Sequence, residues 1–106
     1  MQKEHSLAAT YRFHAYKYWK QTMVMSFTQV SHPSYQAILA LGEKALPFLM
    51  EDIKRERNCV WGCISLVFEI VGRENGPVIP EKERGRYGPI RKIVLRWGRD
   101  KGYLRD

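Results

Sequence analysis

The sequence predicts an all-α fold, a compact bundle of about five helices within a single domain. Its 106 residues are 44% hydrophobic and 27% charged, as in an ordinary globular domain, and a chain of this length supports one hydrophobic core. Apolar side chains recur three and four residues apart over most of the chain, which is the spacing of an amphipathic helix. The alternating pattern of β-strands is weak throughout.

The first helix is predicted over about residues 7–23, within an aromatic N-terminal segment of residues 1–30. Ser6 suits the N-cap position because its hydroxyl can accept a hydrogen bond from the first turn. We expect one broad inward face, since aromatic and apolar side chains follow each other at helical spacing. This face consists of a first row, Leu7, Tyr11, His14 and Tyr18, and a second row, Ala9, Phe13 and Tyr16.

A helical hairpin is predicted over residues 31–72, and it begins with a short helix. Pro33 suits a first helical turn because its ring fixes a helical φ, and Gly42 suits the helix end. The next helix is predicted over about residues 43–57, where Pro47 is tolerated only within the first turn. Its inward side consists of Leu46, Leu49, Met50 and Ile53, and its outward side of Glu51, Lys54 and Arg55.

The last helix of the hairpin is predicted over about residues 59–71, with Asn58 as its N-cap. Its side chains are apolar nearly all round, which is typical of a central helix. We therefore expect Trp61 at the centre of the core and Glu69 at its rim. The narrow polar row consists of Gly62, Ser65, Glu69 and Arg73.

A loop is predicted over residues 73–88, because prolines and glycines interrupt this stretch repeatedly. Pro89 then opens a final helix over about residues 90–102, within the basic C-terminal segment of residues 89–106. An apolar stripe at helical spacing predicts its inward side. That stripe consists of Ile90, Ile93, Val94 and Trp97.

The formal net charge of +7 is distributed unevenly along the chain. Residues 73–106 carry ten basic and five acidic side chains, whereas residues 31–72 are close to neutral. On the last helix, basic side chains about one turn apart form a row that attracts phosphates, although such a row can also serve only as a solvated face. The candidate contacts in this region are Lys92, Arg96 and Arg99, with Arg84, Arg86, Arg91 and Lys101 as neighbours.

A second candidate surface lies on the N-terminal helix, where aromatic and basic residues interleave. Exposed rings beside cations can stack on nucleic-acid bases, and tyrosine and tryptophan are enriched at protein interfaces. The alternative is that the rings pack on the core and fix the helix to it. The candidate residues are Arg12, Tyr16, Lys17, Trp19 and Lys20.

No complete catalytic, cofactor or metal motif is visible, so we expect no cofactor and no catalytic residues. Cys59 and Cys63 share a helix face about 6 Å apart, too far for an unstrained disulfide, and predict free thiols in a reducing compartment. With the scattered His5, His14 and His32, they lack the paired spacing of a zinc site. No apolar run reaches the length of a membrane span and no signal peptide is recognised, so we expect a cytoplasmic location.

Several motifs between residues 31 and 103 resemble a family of small uncharacterised bacterial proteins. The resemblance implies a HEAT-like helix pair and an origin in bacteria or mobile elements, and it implies no catalytic residues. The sequence differs from the family pattern in a glycine inserted in the Asn75-Gly76-Pro77 turn and in lacking the first of two terminal tryptophans. The motifs are His32-Pro33-Ser34-Tyr35-Gln36-Ala37-Ile38, Gly42, Ala45-Leu46-Pro47-Phe48-Leu49, Trp61, Val71-Gly72, Pro77-Val78, Trp97-Gly98 and Tyr103.

Together these features predict a non-catalytic interaction or regulatory module that docks on a protein partner or a nucleoprotein complex. The resemblance adds a role in a bacterial mobile-element or two-gene regulatory system. The first alternative is a small basic protein that binds DNA or RNA through the C-terminal helix. The second is an RNase-like toxin, because an RNase needs little more than a histidine and a basic residue.

Overall fold

The computed structural model describes residues 7–17, 33–57 and 60–105. The regular structure of these residues is helical, which confirms the all-α prediction. The helices are α1 (residues 7–17), α2 (Pro33–Leu41), α3 (Leu46–Lys54), α4 (Val60–Val71) and α5 (Tyr87–Lys101), with 3₁₀ turns at Gly42–Ala45 and Glu81–Glu83. None of the helices in this part of the chain is both long and apolar enough to cross a membrane.

Proline and glycine set several helix ends. Pro33 opens α2, and Gly42 follows its last residue with φ of 68°, a left-handed conformation that favours glycine. Helix α3 begins later than predicted, because a 3₁₀ turn precedes it and leaves Pro47 at the second helical position. Helix α5 begins at Tyr87, before Pro89, which is still within the first turn, where a missing N–H costs no intrahelical bond.

The core lies around α3, which packs against both α4 and α5. The predicted inward side of α3 is confirmed, because its four side chains are fully buried: Leu46, Leu49, Met50 and Ile53. Helix α4 contributes Leu66 and Val67 to the same core, and α5 contributes Val94. Burial of this apolar surface is the main stabilising term in a domain of this size.

The prediction that Trp61 lies at the centre of the core is wrong, because this side chain is 46% exposed. The stripe of α4 that enters the core contains Cys63, Leu66 and Val67. Residues two apart on a helix differ by about 200°, so a helix that buries Cys63 points Trp61 to the opposite side. Gly62, predicted in the polar row, is buried as well, because it lies four residues before Leu66 on the same side of α4. Glu69 is exposed, as predicted.

Helix α1 buries a narrower face than predicted. Tyr11 and Ala15 are buried, and His14 is half-buried, but Phe13 is 57% and Tyr16 is 55% exposed. The second predicted row therefore points to solvent, since a single narrow stripe of α1 faces the core. The predicted N-cap at Ser6, the helix extension beyond residue 17 and the caps before α2 and α4 lie outside the described residues.

Candidate nucleic-acid interface

A basic cleft of about 550 Å³ lies between the C-terminal end of α3 and the outer side of α5. Among the described residues, five basic side chains from two helices and one carboxylate line this cleft. The lining residues are Lys54, Arg91, Lys92, Leu95, Arg96, Arg99 and Asp100. The positive charge of the last helix is thus part of a concave surface that α3 extends.

The periodicity of α5 explains why these cations line one side. Ile90, Val94 and Leu95 turn inward and are buried, whereas Lys92, Arg96 and Arg99 lie on the opposite, exposed side of the helix. Lys92 and Arg96, one turn apart, are exposed and make no ion pair with a described residue. Arg99 is exposed on the same side of the helix. The sequence-predicted row is therefore accessible to a ligand.

Arg91 lines the cleft but also supports the fold. Its Nε donates to the carbonyl oxygen of Ile53 over 3.1 Å, and its Nη2 donates to that of Lys54 over 2.6 Å. The last carbonyls of a helix have no intrahelical donor, so the half-buried Arg91 guanidinium stabilises this end of α3. The same Nε lies 3.3 Å from Oε2 of Glu56. Arg91 is therefore mainly a link between α5 and α3.

Glu56 occupies a position that usually favours glycine. Its φ is 55°, and the amides of Glu56 and Arg57 donate to Ile53 and Asp52 carbonyls in the pattern that ends helices with a left-handed residue. Its carboxylate accepts a hydrogen bond from the Tyr87 hydroxyl over 3.0 Å in addition to its contact with Arg91. These two contacts offset the left-handed backbone and hold α5 against the end of α3.

An exposed aromatic pair lies next to this end of the cleft. Trp61 and Tyr87 form an edge contact, with ring centroids 5.7 Å apart and planes at 65°. Sequence reasoning assigned Trp61 to the core and gave Tyr87 no role. The spacing of Tyr87, four residues before Arg91, was the signal that the two share a side of α5.

The other C-terminal candidates lie away from the basic cleft. Arg84 lines a separate groove of about 720 Å³ with Phe68, Glu69 and Val78. Arg86 is exposed and lies 3.4 Å from Glu83. Lys101 lines a smaller pocket, which also contains Glu43, Trp97 and Tyr103. The fold thus divides the predicted basic neighbours among different surfaces.

The candidates on the N-terminal helix form a separate surface. Arg12 and Tyr16 line a cleft of about 600 Å³ with Phe48 of α3, and Lys17 lies 5.2 Å from the centroid of the Phe13 ring. Trp19 and Lys20 lie outside the described residues. Among the described residues, this cleft and the basic cleft have no lining residue in common.

A buried polar contact lies beneath this N-terminal surface. The Tyr11 hydroxyl donates to Oδ2 of Asp52 over 2.6 Å, and Arg57 Nε donates to Oδ1 over 3.0 Å. Burial, with the nearby Cys63 and Asp52, raises the pKa of Tyr11 well above its ordinary value of 10.0. Asp52 was not predicted as a buried residue, although its place three residues after Leu49 on α3 was a signal. This contact fixes α1 to α3.

Metal ligation and thiol chemistry find little support in the described part of the chain. There, no group of three or more His, Cys, Asp and Glu side chains lies close enough to hold a metal ion. Cys63 is a buried thiol near Tyr11, and His14 Nδ1 lies 3.2 Å from the Ser34 hydroxyl. Cys59, His5 and His32 lie outside the described residues.

Comparisons with protein-family models, with curated proteins and with solved structures found no match to this chain. The resemblance stated from the sequence motifs therefore stays a prediction. The geometry of the basic cleft and the charges around it are the features from which we infer a function.

Proposed function

We propose that the protein is an interaction module that binds nucleic acid, alone or within a nucleoprotein complex, through the basic cleft. The observation that carries this proposal is the convergence of Lys54 of α3 with Lys92 and Arg96 of α5 on one concave surface. Cations held in this way attract phosphates and release condensed counterions when a strand binds. A concave surface lined by one sign of charge also concentrates the field.

The charge balance of the chain supports a polyanionic partner. The net charge is +7, and the C-terminal third carries most of the excess. Asp100 is the single described acid in the cleft, opposite five bases. Phosphates on a nucleic-acid strand each carry a negative charge, so a strand can engage several of these cations at once.

The experiment compares two double variants that remove the same charge from different places. Lys92→Gln with Arg96→Gln neutralises the cleft, whereas Lys44→Gln with Lys82→Gln neutralises exposed lysines elsewhere. Binding to a fluorescent oligonucleotide is measured by anisotropy over a range of salt. We expect the cleft variant to weaken binding and to reduce the slope of log K against log salt by about 1.8 on a duplex, because two phosphate contacts are lost.

Equal effects of the two double variants would contradict the proposal, since binding would then depend on net charge alone. Absence of any salt-dependent binding by the unmodified protein at micromolar concentration would contradict it as well. The four exchanged side chains are solvent-exposed, so we expect thermal unfolding to stay unchanged and to serve as the folding control.

A second candidate function is docking on a protein through the exposed rings of α1. Phe13 and Tyr16 are each more than half exposed beside Arg12, and aromatic residues and arginine are enriched at interfaces. Partner capture that resists nuclease, is lost in Phe13→Ala with Tyr16→Ala and persists in the cleft variant would favour this function. Capture that is lost on nuclease treatment would favour the basic cleft.

The resemblance to small bacterial proteins extends the proposal to a regulatory role in a mobile-element or two-gene system in the cytoplasm. The RNase-like alternative makes a separate prediction. Expression would arrest growth and degrade cellular RNA, and substitution of His14, the histidine within the described residues, would abolish the degradation. Intact RNA in growing cells would speak against that alternative.

A further inference from the structure

Trp61 and Tyr87 form an exposed aromatic platform at one end of the basic cleft. Their side chains are 46% and 37% exposed, and neither enters the core. In an edge-to-face pair, one ring meets the other through its edge, so this contact does not itself cover the faces of that ring. A large ring held in this way at the surface is suited to stacking on a planar ligand.

A shared carboxylate connects this platform to the cleft. The Tyr87 hydroxyl and the Arg91 guanidinium share the same carboxylate oxygen of Glu56, at 3.0 and 3.3 Å. Arg91 itself lines the cleft. Tyr87 lies one helical turn before Arg91, and the helix rises about 18 Å between Tyr87 and Arg99. The Glu56 carboxylate therefore joins the aromatic platform to the Arg91 edge of the cleft.

The combination of rings and cations distinguishes between kinds of nucleic acid. In a duplex the base faces are stacked on one another, so a duplex engages the cations and leaves the platform unused. A single strand offers both phosphates and open base faces, and single-strand binding proteins combine a basic groove with aromatic stacking residues. Glu56 holds the Tyr87 ring in place through its hydroxyl, and Tyr87 in turn contacts Trp61.

We propose that the ligand of the basic cleft is a single strand of nucleic acid, with one base stacked on Trp61 beside Tyr87 and the adjoining phosphates on Lys92, Arg96 and Arg99. This inference rests on the proposed function of the cleft and narrows its ligand class.

The test measures the binding of a labelled single strand and of its annealed duplex to the full chain and its Trp61→Ala variant. We expect the single strand to bind more tightly than the duplex. Trp61→Ala should weaken single-strand binding by about 5- to 150-fold, the range for loss of one base–aromatic stack, and leave duplex binding unchanged. Trp61→Phe keeps an aromatic face and should retain most of the affinity.

The folding control is the Phe variant together with the duplex arm, since a misfolded protein loses duplex binding too. A second readout is the quenching of tryptophan fluorescence by an unlabelled single strand. We expect Trp61→Phe to reduce this quenching sharply while binding by anisotropy persists.

The outcomes separate this inference from the function on which it rests. If Lys92→Gln with Arg96→Gln weakens both ligands but Trp61→Ala changes neither, the cleft binds nucleic acid and the single-strand inference is wrong. Tighter binding of the duplex than of the single strand would overturn the inference in the same way. If the cleft variant weakens neither ligand relative to its charge-matched control, the proposed function itself fails.

Discussion

Helices α1 and α5 both contact α3, but they do so through different chemistry. Helix α1 is connected by the buried hydrogen bond between Tyr11 and Asp52. Helix α5 packs so closely that a Cβ added at Gly98 would lie 2.5 Å from Sδ of the fully buried Met50. One contact depends on a matched donor and acceptor, and the other on the absence of a side chain.

The two contacts are sensitive to different kinds of substitution. A buried hydrogen bond contributes little net energy but costs more when one partner is left alone. A close-packed apolar contact is sensitive to volume in both directions, because interiors have the density of organic crystals. The α1 side should therefore respond to polarity and pH, whereas the α5 side should respond to side-chain size.

The largest effect is expected at the α5 contact. Met50→Ala should reduce the free energy of unfolding by about 2–5 kcal/mol, because it removes buried contacts and leaves a cavity. Gly98→Ala should cost about 1–3 kcal/mol in the unmodified protein through overpacking. In the Met50→Ala background, the same change should instead stabilise by up to about 1 kcal/mol, since alanine is the better helix former. Urea denaturation measures all four proteins.

An equal cost of Gly98→Ala in both backgrounds would contradict the close packing of these two residues. The comparison is internal, because both backgrounds contain the same helix α5.

The next effect is expected at the α1 contact. Asp52→Ala should reduce the free energy of unfolding by about 1–3 kcal/mol, because it leaves the buried Tyr11 hydroxyl without this acceptor. Tyr11→Phe removes the hydroxyl itself. A double-mutant cycle should give a coupling energy of about 0.5–3 kcal/mol, as for residues in direct contact. Additive losses would show that the two side chains act independently.

The raised pKa of Tyr11 predicts a pH dependence on the same side. The folded protein keeps this hydroxyl protonated, while the unfolded chain ionises near pH 10.0, so the folded state binds more protons above that pH. The contribution of Tyr11 to the free energy of unfolding is therefore fully present below pH 10.0. Above that pH it falls by about 1.4 kcal/mol per pH unit.

Thermal unfolding of the unmodified protein and of Tyr11→Phe between neutral and alkaline pH measures this slope. Burial also raises the pKa of Tyr35, but Tyr35 is common to both proteins, so their difference reports Tyr11 alone. Parallel pH profiles would refute the prediction.

The smallest effect concerns the polar component of the α5 contact. Arg91→Lys should reduce the free energy of unfolding by about 1 kcal/mol. An ammonium group cannot reproduce the geometry in which Nε and Nη2 donate to the Ile53 and Lys54 carbonyl oxygens. Arg96→Lys makes the same exchange on the exposed side of the helix and should stay within about 0.5 kcal/mol of the unmodified protein. Equal losses at the two positions would remove the structural role given to Arg91.

Residues of α3 and α5 illustrate how much the sequence could predict. The spacing of Leu46, Leu49, Met50 and Ile53 identified the buried side of α3, because a single apolar stripe leaves one choice of inner face. The row of Lys92, Arg96 and Arg99 followed from the same geometry. Pro33 and Gly42 marked the ends of α2 through their restricted or permissive backbone.

The same reasoning failed where a helix was apolar or aromatic on more than one side. Nothing in the spacing decides whether Trp61 or Cys63 faces the core when both are apolar. Nor does it decide whether Phe13 or Tyr11 is covered, since that depends on the width of the surface the neighbouring helix presents. Asp52 escaped prediction because its partner, Tyr11, is 41 residues away in the sequence.

The helical class, the inner face of α3 and the basic row of α5 follow from the spacing of residues alone, because local backbone geometry fixes which residues share a side. Three placements came from the packing of helices against one another: Lys54 next to that row, Trp61 beside Tyr87, and Asp52 buried beneath α1. These placements depend on which helix faces cover one another. That choice follows from packing the whole chain at once, and spacing along any single helix does not contain it.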